Sequence, residues 1–118
     1  MKFMLILKAN KDSEAGTMPS QESINAMVKY NQEQAKAGIL LDAAGLYPSS
    51  TGARINVSAA GKKTVVDGPF TESKELIGGH WIIQVKSIEE AIEWAKRAPN
   101  TQGHETEIEV RRVIEFEG

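Results

Sequence analysis

Hydrophobic positions change along the chain from the two-residue period of strands to the longer period of helices. Residues 2–8 are apolar between two lysines, which is typical of a strand covered on both faces. Residues 10–19 are polar and rich in turn formers, so a loop is predicted there. A helix should follow, because Ser20 suits an N-cap and Gly38 suits the residue just past a helix C-terminus. Its predicted buried stripe consists of Ile24, Met27, Val28 and Ala35.

The middle of the chain predicts three more extended segments. The first begins at Ile39 and closes near Gly45. Residues 54–58 and 63–67 look like two short strands joined by a turn at Gly61. These segments place several strands between the first helix and the next helical pattern.

The last third repeats the strand–helix–strand pattern. Residues 80–86 alternate, with Trp81, Ile83 and Val85 on one face. A capping box at residues 87–90 starts a second helix, which Pro99 ends. Its predicted buried stripe consists of Ile88, Ala91, Ile92 and Ala95. A final alternating strand is predicted over residues 106–116.

This order predicts one α+β domain over residues 1–118, a ferredoxin-like split βαβ plait. Two helices would cover one face of an antiparallel sheet. The other face still carries apolar side chains, and a chain of 118 residues has no further element to cover it. We therefore predict a homodimer that packs sheet against sheet as a dimeric α+β barrel.

Composition narrows the classes of function. The formal net charge is -2 with no basic patch, which argues against direct nucleic-acid binding. There is no cysteine, so thiol catalysis, disulfides and thiolate metal sites are excluded. The apolar run at residues 3–7 is too short for a signal peptide or a membrane span, so a cytoplasmic protein without membrane contact is predicted.

The chain carries no pattern that would bind a common cofactor. Its two histidines are not at metal-ligand spacing, so no metal site is predicted. The glycines do not form a phosphate-binding loop, and we predict no cofactor.

The most distinctive motif is Asp67-Gly68-Pro69-Phe70-Thr71-Glu72-Ser73-Lys74-Glu75, which leads through Leu76-Ile77-Gly78-Gly79 into a strand. The motif, together with Gly45-Leu46-Tyr47-Pro48-Ser49-Ser50 and residues 81–87, 89–94 and 108–111, resembles the DGPF-type branch of the YCII-related family. The resemblance covers nearly the whole chain and implies a ferredoxin-like dimeric α+β barrel. It does not imply one settled activity.

The resemblance also implies a catalytic pair, a histidine on the first helix with an aspartate on the following strand. The first helix has no histidine here; its polar candidates are Asn25, Lys29, Tyr30 and Asn31. Asp42 lies in the neighbourhood of the aspartate and is a candidate ligand contact. His80 occupies a position that is usually Phe or Tyr in such relatives, which favours packing over an inherited catalytic role.

Several polar residues remain as candidates for chemistry. Asp67 is the leading one, either as a general base or as a carboxylate that caps backbone amides of its own turn. Glu72 is an acid–base candidate and Lys74 an anion clamp, although both also suit a solvated turn with a local ion pair. His80 is a further acid–base candidate. Arg54 and Arg112 are possible anion contacts or structural ion pairs.

Three functions of different class follow. The first is a dimer of the YCII-related, DGPF type that binds a small organic ligand near Asp67. The second is a cofactor-independent enzyme, similar to dimeric-barrel monooxygenases and isomerases, with Asp67 as base and Arg or Lys holding the substrate. The third is a regulatory protein that binds a partner associated with an alternative sigma factor, as the resemblance implies.

Overall fold

A computed structural model describes residues 1–71, 75–100 and 105–116. Its strands are β1 (Lys2–Lys8), β2 (Leu40–Gly45), β3 (Ala53–Val57), β4 (Lys63–Asp67), β5 (Ile77–Gln84) and β6 (Ile108–Arg112). Its α-helices are α1 (Lys11–Glu14), α2 (Gln21–Lys36) and α3 (Ile88–Lys96), and Ser49–Thr51 form a 3₁₀ turn. Glu72, Lys74 and His104 lie outside the described residues.

Four strands form an antiparallel sheet in the order β2-β5-β1-β6. Both helical connections, β1-α2-β2 and β5-α3-β6, skip over one strand of that sheet. This is the order that a split βαβ unit produces, so the predicted α+β class and plait topology are confirmed. Strands β3 and β4 pair with each other in a separate two-stranded sheet.

The core lies between the helices and one face of the four-stranded sheet. Successive strand residues point to opposite faces, so alternate positions share this core. Its buried members are Phe3, Leu5, Tyr30, Trp81, Ile83, Val85 and Ala91. The predicted inward face of the central strand is therefore confirmed at Trp81, Ile83 and Val85. Burying each large apolar side chain stabilises the fold by roughly 1.5–3 kcal/mol.

Helix α2 presents a more polar side to the core than its apolar pattern predicts. Tyr30 and Gln34 are its buried residues, whereas Ile24 and Val28 are 38% and 46% exposed. Tyr30 can be buried because its hydroxyl donates to the Trp94 carbonyl at 2.6 Å, while its ring meets Trp81 edge-on. The predicted stripe was wrong at Ile24, Val28 and Ala35, which are exposed, since Tyr30 with its hydrogen-bond partner and Gln34 pack against the core instead.

Burial of Tyr30 also changes its ionisation. Removing the phenolate from water raises the pKa of Tyr30 to about 12. Tyr30 is therefore neutral in the folded protein at physiological pH.

The predicted stripe of α3 is also only partly correct. Ala91 is fully buried, and Ala95 packs partly against the core. Ile88 and Ile92 are 45% and 38% exposed, because the small alanines form the line of closest contact with the sheet.

The predicted helix ends are confirmed by their capping bonds. The Ser20 and Ser87 side chains accept from the N–H groups of Ser23 and Glu90. Gly38 follows α2 with a φ of +74°, a conformation that favours glycine. The Glu90 carboxylate accepts from the Lys86 N–H, so the reciprocal half of the capping box is shifted by one residue.

Several boundaries differ from the sequence prediction; β5 runs over Ile77–Gln84 instead of residues 80–86, and β6 begins at Ile108 instead of residue 106. The predicted loop over residues 10–19 contains the short helix α1, which Asn10 caps by accepting from the Ser13 N–H. Four residues are too few to show a helical period, so the apolar pattern missed it. At the other end, β6 stops at Arg112, and Ile114 and Phe116 are 75% and 88% exposed.

The β3–β4 hairpin, residues 53–67, stands away from the core. We call it the arm. Every residue in its two strands is exposed. Ile55 lies opposite Val65, and Val57 is two residues from Ile55, so these three apolar side chains share one face of the arm. The sheet surface opposite the helices, which carries Met4, Ile6, Asp42, His80 and Ile82, is called the open face.

Candidate functional site

Asp42 and His80 form a carboxylate–imidazole pair on the open face. The register sets Asp42 opposite Ile82 and Ala44 opposite His80, so the two polar side chains are diagonal neighbours on adjacent strands. The distance from His80 Nε2 to Asp42 Oδ2 is 3.2 Å. Two weak candidates from the sequence are thus brought into contact.

An irregularity in β2 puts Asp42 on this face. Leu40 lies opposite Ile83, but Asp42 lies opposite Ile82, so one extra residue is inserted between them. In a regular ladder Asp42 would lie opposite Trp81 and point toward the helices. A one-residue shift exchanges the two faces of a strand. The bulge at Leu41 is therefore the local cause of the pair.

The pair selects the tautomer of a neutral imidazole. An ionised carboxylate only accepts hydrogen bonds, so His80 Nε2 donates, and Nδ1 carries the lone pair whenever the ring is neutral. The His80 side chain is 23% exposed and that of Asp42 is 60% exposed. Because the imidazole is partly enclosed while its carboxylate is solvated, the arrangement can accept a proton at Nδ1 from a molecule on the open face.

Apolar side chains surround the pair. Ile6 and Ala44 lie directly opposite His80 on the two neighbouring strands, and Met4 lies opposite Ile82. A small polar centre in an apolar surface is typical of sites that bind organic molecules.

A cavity of about 150 Å³ opens beside His80 and extends beneath α2. Its lining residues are Leu7, Met27, Asn31, Ala43, Ala44, Gly45, Gly78, Gly79, His80 and Trp81. This volume has room for a group of about the size of benzene.

One wall of the cavity is held by a hydrogen bond. Trp81 Nε1 donates to Asn31 Oδ1 at 2.7 Å, which fixes the indole and the amide together. The bond orients the Asn31 amide, whose NH₂ group has no partner among the described residues. Asn31 is thus the polar residue of α2 that reaches the cavity, among the four that the sequence suggested.

Close backbone contact shapes the rim of the cavity. A Cβ added at Gly79 would lie 2.7 Å from the Ala44 carbonyl oxygen, which is closer than real Cβ atoms approach. Glycine at this position lets β2 and β5 approach next to the His80–Asp42 pair.

The Asp67 turn is held by Ser49 and Glu14. The Phe70 N–H donates to Ser49 Oγ at 3.0 Å, and Ser49 Oγ donates to Glu14 Oε2 at 2.6 Å. The Gly68 N–H donates to the Gly52 carbonyl at 3.0 Å. A Cβ at Gly68 would lie 1.8 Å from the Ser49 carbonyl oxygen, so the turn requires glycine.

Asp67 itself ends β4 opposite Ala53 and is exposed. Its carboxylate makes no hydrogen bond to any other described residue, and it does not line the cavity beneath α2. The two roles that the sequence suggests for Asp67, general base and cap of its turn, remain predictions. The contacts that do hold the turn come from Ser49, a residue whose polarity alone gave no signal.

The two arginine candidates lie apart from the His80–Asp42 pair. Arg54 stacks its guanidinium over the Phe70 ring, 3.9 Å from the ring centre, on the arm. Arg112 ends β6 opposite Phe3, where it is exposed and has no ion-pair partner among the described residues. Their predicted roles as anion contacts stay predictions, as do those of Glu72 and Lys74.

Two kinds of feature, a metal-binding cluster and a membrane-spanning helix, are absent from residues 1–71, 75–100 and 105–116. These residues contain no group of three or more His, Asp or Glu side chains placed to hold a metal ion. They also contain no helix with the length and hydropathy needed to cross a bilayer.

Comparisons with known proteins agree with the fold. The YCII-related domain family matches residues 1–117. A protein of Rhizobium meliloti (strain 1021), described as uncharacterized, is 32% identical over 109 residues, which is 90% of this chain and 87% of the relative. The finer DGPF-type assignment rests on the motif residues alone.

Proposed function

Because the chain belongs to the YCII-related domain family, we propose that it is a homodimer that binds a small organic ligand beside His80 and Asp42. The observation that carries this proposal is the 3.2 Å contact between His80 Nε2 and Asp42 Oδ2, which lies beside the apolar side chains of Ile6, Ala44 and Ile82 on the open face. The imidazole is partly enclosed while its carboxylate partner is solvated, so the pair can be reached by a molecule on the open face.

The surroundings favour a compact ligand with both apolar and polar parts. The cavity of about 150 Å³ beside His80 offers an apolar recess under α2. The Asn31 amide supplies a donor within this recess, and His80 supplies a polar group on the open face of strand β5. Small carbonyl and carboxylic compounds combine these features, so they are the proposed ligand class.

The site proposed from the sequence was centred on Asp67. Placing it at His80 follows from the contact with Asp42 and from the adjoining cavity, neither of which Asp67 shares. Asp67 remains a secondary candidate, because the arm that carries it can approach the open face of another copy.

General acid–base catalysis is a second candidate for the same site. The specific observation that favours it is the orientation of His80, whose Nε2 is engaged by Asp42 while Nδ1 is left for a ligand. A base held in this way can remove a proton from carbon next to a carbonyl and return it elsewhere, which requires no cofactor. Asp42 would orient the imidazole and stabilise its charged form.

The regulatory alternative predicts a different behaviour. A partner protein of the sigma-factor system would co-purify with the chain through surfaces outside the dimer contact. That binding would persist in a His80→Phe variant, because the open face would not be involved.

A thermal-shift screen tests ligand binding. Small carboxylic acids and cyclic ketones are tested against wild type, His80→Phe and Asp67→Ala. A ligand at 100 times its Kd stabilises the native state by about 2.7 kcal/mol, which raises the Tm by several degrees. We expect compounds that raise the Tm of wild type and Asp67→Ala but not that of His80→Phe.

Two outcomes would contradict this assignment. If no compound in the class raises the wild-type Tm, the ligand proposal fails. If the shift is lost in Asp67→Ala and kept in His80→Phe, the ligand binds at the Asp67 turn instead. For catalysis, the readout is exchange of the ligand's α-protons with deuterated solvent, which should be slower with Asp42→Asn than with wild type.

A further inference from the structure

The arm has one polar and one apolar face, and its polar face is turned toward its own chain. Arg54, Asn56 and Thr64 share the more polar face with Val66, whereas Lys63 and Asp67 lie at the two ends of the more apolar face. Arg54 stacks on Phe70 of the following turn, which fixes this face against the chain that carries it. Ile55, Val57 and Val65 therefore point away, and they are 54%, 62% and 64% exposed.

An uncovered apolar ribbon of this kind needs a covering surface. Two strands alone are marginally stable in water, and three or more strands or packing on another element are required. Among the described residues, the arm's own chain covers neither of its strands. The covering surface must then come from another molecule.

The overall dimensions give the same result. The radius of gyration is 16.0 Å, against about 13–14 Å for a compact chain of this length. The accessible surface is 8471 Å², against about 6,300 Å² for a monomer of 12.9 kDa. The excess, roughly 2,000 Å², exceeds the ~800 Å² per partner that a standard protein interface buries.

We propose that the arm of one copy lies across the open face of a second copy of this chain, and that the second copy's arm does the same in return. This inference rests on the homodimer in the proposed function and adds how the two copies engage. A two-fold contact of this kind covers both apolar surfaces of each chain, the arm and the open face, in one step.

The two surfaces match in chemistry. The apolar stripe of the arm would meet Met4, Ile6 and Ile82 of the open face. Lys62 and Lys63 lie at the tip of the arm, and neither has an ion-pair partner among the described residues. At the β6 border, Glu109 is already paired with Lys8 at 3.8 Å and with Arg111 at 3.1 Å, so Glu107 is the residue left to offer the opposite charge to that tip.

The arm also leaves the sheet near the His80–Asp42 pair. Leu46, which follows β2 and precedes the arm, donates its N–H to the Gly78 carbonyl at 2.9 Å. In a two-fold pair, each arm would therefore close the solvent-facing side of the partner's site. Excluding water there would strengthen hydrogen bonds between the ligand and His80.

Cross-linking tests this arrangement. The chain has no cysteine, so in each single-cysteine variant the introduced thiol is the one that the cross-linker can modify. Val57→Cys on the arm is mixed with Met4→Cys on the open face, and a short bismaleimide is added. The control mixture pairs Val57→Cys with Val28→Cys, which is exposed on the helical side. We expect at least about tenfold more heterodimer from the first mixture, since docking raises the local thiol concentration from micromolar to millimolar.

A second pair of variants measures assembly. Ile55→Asp places a charge in the arm's apolar stripe and should convert the dimer to a monomer in analytical ultracentrifugation. Because Ile55 is exposed and outside the core, the variant keeps the circular dichroism spectrum of the native fold. The control Ile88→Asp, which is exposed on α3, should remain a dimer.

The outcomes separate this inference from the proposed function. A dimer that cross-links equally in both mixtures, or that survives Ile55→Asp, overturns the arm contact and leaves the dimer. A wild type that is monomeric at every concentration overturns the arm contact and the homodimer, whereas ligand binding at His80 is still decided by the thermal-shift screen. Stable binding of Val57→Cys to a different protein in preference to a second copy also overturns it.

Discussion

His80 and Asp42 show how two residues with weak individual signals can form a site. Asp42→Asn keeps the size of the side chain and removes its charge, so the imidazole loses the partner that stabilises its protonated form. Ligand-proton exchange should fall at least about tenfold, the scale of a 1.4 kcal/mol loss, in NMR exchange assays. The unfolding free energy should change by less than about 1 kcal/mol, because exposed pairs stabilise little. An exchange rate equal to that of wild type would show that Asp42 has no part in proton transfer.

Ser49 is the residue on which the Asp67 turn depends. Ser49→Ala removes the acceptor of the Phe70 N–H and the donor to Glu14 together. Glu14 keeps its bond from the Ser49 backbone N–H, but leaving the partly buried Phe70 N–H unmatched should cost about 1–3 kcal/mol, measured by urea denaturation. Ser50→Ala, an exposed neighbour without these bonds, is the matched control and should be neutral. Equal stability of the two variants would mean that the turn is held by other contacts.

Tyr30 gives the fold a defined response to alkaline pH. Its pKa is about 12 in the folded protein and 10.0 when unfolded, so the folded state holds the proton more tightly. This contribution to stability is fully present below pH 10 and is lost as the pH rises toward about 12. Urea denaturation should show a steeper fall over that interval for wild type than for Tyr30→Phe. Parallel curves for the two proteins would contradict burial of a neutral tyrosine.

At the scale of elements, the strand and helix order could be predicted because each element carries its own period and caps. Ser20, Gly38 and Ser87 are local signals, and the structure confirms all three as helix boundaries. The His80–Asp42 contact could not be predicted in this way, because it depends on the bulge at Leu41. A bulge is fixed by pairing with another strand and leaves no periodic mark in its own sequence. The buried side of α2 was missed for the same reason. Tyr30 is buried because its hydroxyl bonds to the Trp94 carbonyl, a contact between residues far apart in the sequence.

Gly79 controls how closely β2 approaches β5. Gly79→Ala would place a methyl group 2.7 Å from the Ala44 carbonyl oxygen, so one strand must move. We expect a loss of about 1–3 kcal/mol in unfolding free energy, the usual cost of overpacking. Gly45→Ala is the control, because a Cβ there meets no atom within 4 Å. A neutral Gly79→Ala would show that the two strands separate without cost beside the site.

At the scale of the whole molecule, the chain has two uncovered apolar surfaces, the arm and the open face. Burying Ile55, Val57 and Val65 from their present half-exposed state would contribute about 1 kcal/mol each, and the contribution doubles when two arms dock. This sum is small beside the cost of association, so matched contacts on the open face are also needed. In the proposed dimer, the sheet, the arm and the site would therefore depend on one another.

The central claim is that a small organic ligand contacts His80, and the imidazole signals of the protein test it most directly. The chain has two histidines, so a spectrum of histidine-labelled protein contains few imidazole peaks. The His80 peaks are identified by their absence from the spectrum of His80→Phe. On titration with a compound that raises the Tm, we predict that these peaks shift until the site is saturated. A compound that raises the Tm while leaving the His80 peaks unmoved would contradict the account.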